Sequence, residues 1–279
     1  MDRVSVIMPC YNDGKYIMEA VKSVESQTYP ELELIIVDDG SDDSYTLKVL
    51  GEISIPWAKV IRVKKSGPSN ARNVGISAAS GTMILPLDSD DTIDSSYIEK
   101  AVKTMEANPN VGVVYCQADL FGEKQGRWNL PDYSLDKMLL DNIVFVTALF
   151  YKADWEKVGG FHSDMVHGME DYDFWLSILE LDKDIYQIPE VLFHYRIKPK
   201  SRTTSFANDI SIVQQTYRDI YMHHQKLYTK YADKYAMILR EALIEQSYKV
   251  RAMTKGMAIV ETLDKYPLIK RIIKKFIVR

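Results

Sequence analysis

Three carboxylates, Asp88, Asp90 and Asp91, fall within four positions at the end of the apolar run that starts at Thr82. Like charges this close raise one another's pKa and resist packing, so the cluster asks for a cation or a hydrogen-bonding ligand. A second acidic group, Glu170, Asp171 and Asp173, stands just before Phe174, Trp175, Ile178 and Leu179, which make an apolar helical face. Acidic residues in a first helical turn favour the helix dipole with no further role, and that reading stands beside a catalytic one.

These groups need a scaffold, and the chain supplies an alternating one. Val4 to Met8, Leu32 to Asp38, Lys59 to Val63, Thr82 to Asp88 and Val111 to Cys116 are short and rich in β-branched residues, as strands are. Ile17, Ala20, Val21 and Val24 recur at helical spacing between the first two, and the segments 69–80 and 95–108 behave likewise. The expected fold class is therefore α/β, with right-handed βαβ units and a mostly parallel central sheet covered by helices on both faces. In such a sheet ligands bind beyond the carboxyl ends of the strands. The polar letters fall there: Pro9, Cys10, Tyr11 and Asn12 after the first strand, Asp38 and Asp39 after the second, Arg72 after the third, and the aspartate cluster after the fourth.

Composition limits the classes. The 279 residues, 46% hydrophobic, bury a large core. The net charge of -4 conceals an asymmetry, because basic and acidic residues number 21 and 33 up to Val213 and 14 and 6 beyond it. A basic tail either meets something anionic or docks on the acidic part of its own chain. Cys10 and Cys116 lie in apolar contexts without metal-type spacing and read as reduced core thiols, as expected of a cytoplasmic protein. No apolar run approaches 18 residues, the N-terminal one is too short for a signal peptide, and no nucleic-acid partner is expected.

The ordered set PCYN, VDDGS, NARNVGI, LDSDD, GGF and EDYDFWL resembles the family 2 glycosyltransferases of the GT-A fold, of the bacterial polysaccharide type, over about Val4 to Ser205. That resemblance implies inverting transfer of a sugar from a nucleotide diphosphate donor with a divalent cation. It places Pro9, Tyr11 and Asn12 at the nucleotide, with Tyr11 as a stacking face. Asp39 becomes the reader of a uracil edge, Asp38 a shaper of the turn, and Arg72 a contact to base or phosphate, with a structural salt bridge to Asp38 or Asp39 as the rival role. Asp88 and Asp90 become the D-x-D element, with Asp90 on the metal and Asp88 on ribose or a metal-bound water, while Asp91 holds the loop. Hard oxygen ligands on a phosphate-bearing substrate suit Mn2+ or Mg2+ better than zinc. Asp171 becomes the base that takes the acceptor's proton, and Glu170 orients it or the acceptor. Trp175 is assigned to the core.

Two other readings of the aspartate cluster are open. Asp88, Asp90 and Thr92 fit the D-x-D-x-T of haloacid dehalogenase-like phosphatases, in which the motif follows the first strand. The same letters imitate a calcium-binding EF-hand loop, which needs glycine where Ile93 stands and a helix where a strand is expected. A non-catalytic binder of nucleotide sugar or calcium is the remaining alternative.

The chain departs from the family where many members carry a metal-binding histidine after YR: Lys198 stands there, with His194 four residues earlier. Lys198, Lys200 and Arg202 then either neutralise the diphosphate as a lid that orders on donor binding or form a solvated basic loop between domain and tail. The expected division is a GT-A domain over 1–205, with a nucleotide half to about 116 and an acceptor half from 117, then a helical appendage over 206–279. His223 and His224 are adjacent and make a poor metal pair. In the tail 267–279, Ile269, Ile272, Ile273 and Phe276 oppose Lys270, Arg271, Lys274 and Lys275. Such a segment binds anionic lipid at the inner face of a cell membrane or docks on a partner subunit, and a glycan or lipid-linked glycan is the expected acceptor.

Overall fold

The computed structural model describes residues 2–199, Phe206 and 208–264, the last ten of these by backbone alone. It divides into two compact units, residues 1–230 and 231–279. The first unit is built on one nine-stranded sheet. Its strands are β1 (Val4–Cys10), β2 (Leu32–Asp38), β3 (Ala58–Arg62), β4 (Met83–Pro86), β5 (Thr92–Ile93), β6 (Val111–Gly122), β7 (Gly126–Trp128), β8 (Leu149–Tyr151) and β9 (Asp184–Ile197). They lie in the order β3-β2-β1-β4-β8-β6-β9-β5, with β7 paired to β6.

The first four strands are mutually parallel, and the short β8 runs antiparallel to both β4 and β6. β6 therefore points the same way as β4, and β9 is parallel to β6. Six strands share one direction, which is the mostly parallel sheet that the strand and helix alternation requires. Every residue of β1 is buried, so both faces of the sheet are covered there.

The helices of this unit are α1 (Ile17–Glu25), α2 (Ser44–Glu52), α3 (Pro68–Ala78), α4 (Tyr97–Ala107), α5 (Leu135–Leu140), α6 (Lys152–Val158), α7 (Glu170–Leu179), α8 (Ile210–His223) and α9 (Gln225–Lys230). Helix α1 buries Ile17, Ala20, Val21 and Val24, the residues whose spacing marks it in the sequence. Helix α3 packs on β1 and β2, and Gly75 makes that approach possible: a Cβ there would lie 2.5 Å from Ile7 Cγ2. Helix α6 ends on Gly159 in the left-handed conformation, φ 84°, which glycine adopts without strain.

Strands β6 and β9 are longer than the alternation suggests, and their pairing carries an irregularity. The register passes from Cys116 opposite Ile188 to Gln117 opposite Val191, leaving Pro189 and Glu190 as extra residues. Proline has no N–H to give a ladder, so it sits at the bulge. Cys10 and Cys116 are buried free thiols, and Trp175 is fully buried with its indole N–H donated to the Val144 carbonyl.

The second unit is described through α10 (Ala232–Asp264), a single 33-residue helix. Among the described residues no helix is long and apolar enough to cross a membrane. Lys200, Arg202 and the segment 267–279 lie outside the described residues, and with them the expected lid and basic tail.

Candidate functional site

The carboxyl ends of β1 and β2 form the first wall. Asn12, in the left-handed region at φ 57°, accepts the Asp42 and Asp43 N–H groups with Oδ1 at 3.1 Å each and locks the two loops together. Pro9 is buried in β1 opposite Val37, and Tyr11 lies beyond it with the Lys65 ammonium 3.8 Å from its ring centroid. Asp38 shapes its turn by accepting the Ser41 N–H at 2.8 Å. Asp39 accepts the N–H groups of Ser66 at 2.7 Å and Gly67 at 2.9 Å, and so holds the loop that enters α3. A carboxylate has about four acceptor sites, so Asp39 keeps capacity for another donor.

The loop between β4 and β5 carries the aspartate cluster. Asp88 follows the fourth strand of the domain, not the first as in the phosphatase pattern, and strand β4 leads directly into the loop where an EF-hand would require a helix. Asp91 is buried and accepts the Arg196 N–H at 2.7 Å, which ties the loop to the end of β9. Burial, then Asp90 and Asp88, push its carboxyl well above the ordinary carboxylate range. Asp90 is also raised, by burial and by Asp88, against the opposing attraction of Lys198. The Lys198 ammonium lies 2.6 Å from Asp90 and 3.0 Å from Asp13. Lys198 thus supplies the compensating charge that the crowded carboxylates ask for.

Arg72, 3% exposed, spans the crevice. One terminal nitrogen donates to Asp88 Oδ1 at 2.7 Å and the other to Glu170 Oε1 at 2.9 Å. The rival pairing of Arg72 with Asp38 or Asp39 is therefore corrected: Asp38 meets Arg62 at 3.5 Å and Asp39 is held by backbone. The two acidic partners of Arg72 come from the loop that follows β4 and from the first turn of α7. The Arg72 Nε is buried with no hydrogen-bond partner.

Glu170 and Asp171 begin α7, directly after Met169 in the left-handed region at φ 64°. Asp171 is half-buried, and its Oδ1 accepts its neighbour Tyr172 N–H at 2.8 Å. Burial, and next the charge of Glu170, push its carboxyl up to about 6, against Arg72 and hydrogen bonds from Tyr172 and Asn142. That places it where a carboxylate is ionised at neutral pH yet basic enough to take a proton.

The residues present fit a divalent cation at Asp88 and Asp90. Arg72 and Lys198 engage Asp88 Oδ1 and Asp90 Oδ2, leaving Asp88 Oδ2 and Asp90 Oδ1 outside those pairs. Two carboxylates plus substrate phosphates and water is the way Mg2+ is commonly held. His194 does not join them; its Nδ1 lies 2.6 Å from Asp119 across the β6–β9 pair. Asp13 and Arg196 belong to this cluster and were not selected from the sequence. Asp13 directly follows PCYN, a signal that was available; Arg196 is the arginine of YR and reads as ordinary strand chemistry until β9 is seen beside β5.

The fold and the crevice define a class. The glycosyl transferase family 2 model matches residues 5–165, and the chain belongs to that family. The fold is GT-A: the chain superposes on S. aureus TarS in complex with UDP with a TM-score of 0.62 at 22% identity, covering 79% of this chain and 65% of that one. The complex of TarS with UDP-GlcNAc gives 0.64 at 21% identity, covering 79% and 66%. Among relatives, Escherichia coli chondroitin synthase is 30% identical over 64% of this chain and 26% of its own length. Escherichia coli UDP-Glc:alpha-D-GlcNAc-diphosphoundecaprenol beta-1,3-glucosyltransferase WfgD is 34% identical over 63% and 70%. An uncharacterized Sinorhizobium fredii protein is 31% identical over 72% of this chain, which spans only 23% of it.

Proposed function

We propose that the protein is an inverting glycosyltransferase of polysaccharide or glycan synthesis, moving a hexosyl or N-acetylhexosaminyl group from a UDP-sugar to an acceptor hydroxyl. The observation that carries this is the Arg72 bridge, which joins the donor-side Asp88 to the acceptor-side Glu170 in one buried pair of ion pairs. The family and the relatives named for UDP-glucose transfer and chondroitin synthesis support the reading.

In this reading Tyr11 stacks on the base, Asp39 accepts from its edge, and Asp88 and Asp90 hold Mn2+ or Mg2+. A cation bound there would supply positive charge to neutralise the leaving diphosphate. Lys198 stands beside that position and adds a second positive charge, with Arg202 from the following segment as a further phosphate contact. Asp171 takes the proton of the acceptor hydroxyl while its oxygen attacks the anomeric carbon from the face opposite the diphosphate. The bond from that carbon to the phosphate oxygen breaks, UDP leaves, and the configuration inverts. Glu170, held by Arg72, fixes the first turn of α7 and so the direction in which Asp171 points.

The acceptor in this proposal is a glycan or lipid-linked glycan met at the inner face of the cell membrane, with the basic tail 267–279 as peripheral contact. The domain proposal keeps catalysis within 1–205. The test is thermal stabilisation by UDP and UDP-sugars with Mn2+, since a ligand of the native state raises its stability with occupancy. Asp90→Ala is expected to abolish the metal-dependent part of that shift. An unchanged shift would remove Asp90 from the metal, and no shift with any nucleotide diphosphate would remove the donor assignment.

A further inference from the structure

Away from the crevice, one carboxylate is surrounded by imidazoles. Asp173 is buried, its side chain 1% exposed, and lies in the first turn of α7. Its Oδ2 is 2.6 Å from His162 Nδ1; its Oδ1 is 2.7 Å from His223 Nδ1 and 3.1 Å from His224 Nε2. His162 comes from the loop after α6, and His223 and His224 from the end of α8. Three separate segments therefore converge on one point. Among the described residues, His162, Asp173 and His223 are the grouping of possible metal ligands whose donor atoms all lie within 4.8 Å of one another.

We propose that His162 Nδ1, His223 Nδ1 and a carboxylate oxygen of Asp173 form a binding site for a divalent transition metal of the zinc type, separate from the Asp88–Asp90 pair. The donor types decide the metal: two imidazoles and one carboxylate suit zinc, whereas the all-oxygen pair in the crevice suits Mg2+ or Mn2+. Three protein ligands leave a fourth position open, and the surroundings provide for it. A cleft of about 550 Å³, lined by His162, His223, His224, Ser177, Glu180 and Lys226 among others, reaches the site. The His162 and His223 side chains are 38% and 23% exposed, so an ion can enter.

Outer polar contacts also fit. The His223 Nε2 faces the Asp164 carboxylate at 3.4 Å, an acceptor that suits an Nε2–H and leaves Nδ1 to a metal. His224, 2% exposed, bridges Asp173 and Glu180 at 3.1 and 3.2 Å and orients the carboxylate. Metal binding replaces the protons now shared between Asp173 and the two Nδ1 atoms, and the ligand atoms spread to about 3.3 Å around a tetrahedral centre. Both histidines border the open cleft, which gives their rings room to move.

The experiment is titration of the full chain, stripped with chelator, with Zn2+ by calorimetry and with Co2+ by its visible absorption. One high-affinity ion per chain is expected, with a tetrahedral cobalt spectrum. His223→Gln and His162→Ala each weaken it at least about tenfold, while Asp90→Ala leaves it unchanged. His162 is half-exposed, so its replacement keeps the fold, and circular dichroism of the metal-free variants checks this. No binding by the parent protein would overturn the site. Binding lost in Asp90→Ala but kept in the double histidine variant would place the ion in the crevice and overturn it equally.

Discussion

At the scale of single residues, the proposed chemistry rests most on Arg72 and Asp171. Removing one partner of a buried ion pair strands the others, typically at about 3–5 kcal/mol. Arg72→Met removes the cation that Glu170 and Asp88 share, so urea unfolding is expected to show a loss in that range, and stability close to the parent would mean that the bridge is dispensable to the fold. Asp171→Asn keeps the shape and the helix end but cannot take a proton. Turnover falls by about a hundredfold or more while the UDP-induced thermal shift stays; near-normal turnover would pass the role to Glu170. The pH dependence follows from the same group. A base raised to about 6 is ionised above that value and protonated below it, so turnover holds at neutral pH and declines as pH falls through about 6. Burial and the neighbouring charge of Glu170 set the position of that inflection. A profile flat down to pH 5 would detach Asp171 from proton transfer.

The elements determine whether those residues meet. Helix α3 carries both Arg72 and Gly75 on the face that lies against β1 and β2, and a Cβ at Gly75 would come 3.1 Å from Val37 Cγ2 as well as 2.5 Å from Ile7. Gly75→Ala is expected to push α3 outward at a cost of about 1–3 kcal/mol and to weaken UDP-dependent stabilisation together with Tm. Full retention of both would show that α3 has slack. The same elements explain what could be read from the sequence. Strands β1 and β2 are legible because unbroken apolar, β-branched runs have no other use in a buried parallel sheet. Strand β9 is not, since Pro189 interrupts it and the consecutive exposed Pro189 and Glu190, then the consecutive buried Leu192 and Phe193, break its alternation. The stretch 142–151 has the apolar run of a strand, yet only Leu149–Tyr151 pair, while Phe145 packs against Tyr115, Trp128 and Phe193. Strand ends gave Asp39, Arg72 and the Asp88–Asp91 loop. The imidazoles around Asp173 escaped because proximity in sequence says nothing about three segments meeting in space.

On the scale of the molecule, charge is divided along the chain, with the acidic excess before Val213 and the basic excess after it. Residues 267–279 hold five basic side chains, Lys270, Arg271, Lys274, Lys275 and Arg279, worth about 1 kcal/mol each near an anionic surface and screened by salt. Deleting 267–279 is expected to spare transfer to an unanchored acceptor analogue and to reduce co-sedimentation with anionic vesicles at low salt. Equal pelleting of both forms would end the membrane reading, and a change of oligomeric state would assign the tail to subunit docking.

The parallel pairing of β6 with β9 joins segments that are about seventy residues apart, Val111 lying opposite Asp184. Closing a loop of that size loses chain entropy before any contact rewards it, which makes such pairings slow. During synthesis β1 to β4 emerge and pair well before β9 exists. The β1–β4 side of the crevice is therefore expected to assemble first, and the Lys198 counter-charge to arrive after it. Until then Asp88, Asp90 and Asp91 repel one another with no cation from the far strand. In the proposed reading, a divalent cation held by these carboxylates at that stage would relieve the same repulsion that Lys198 relieves in the finished fold.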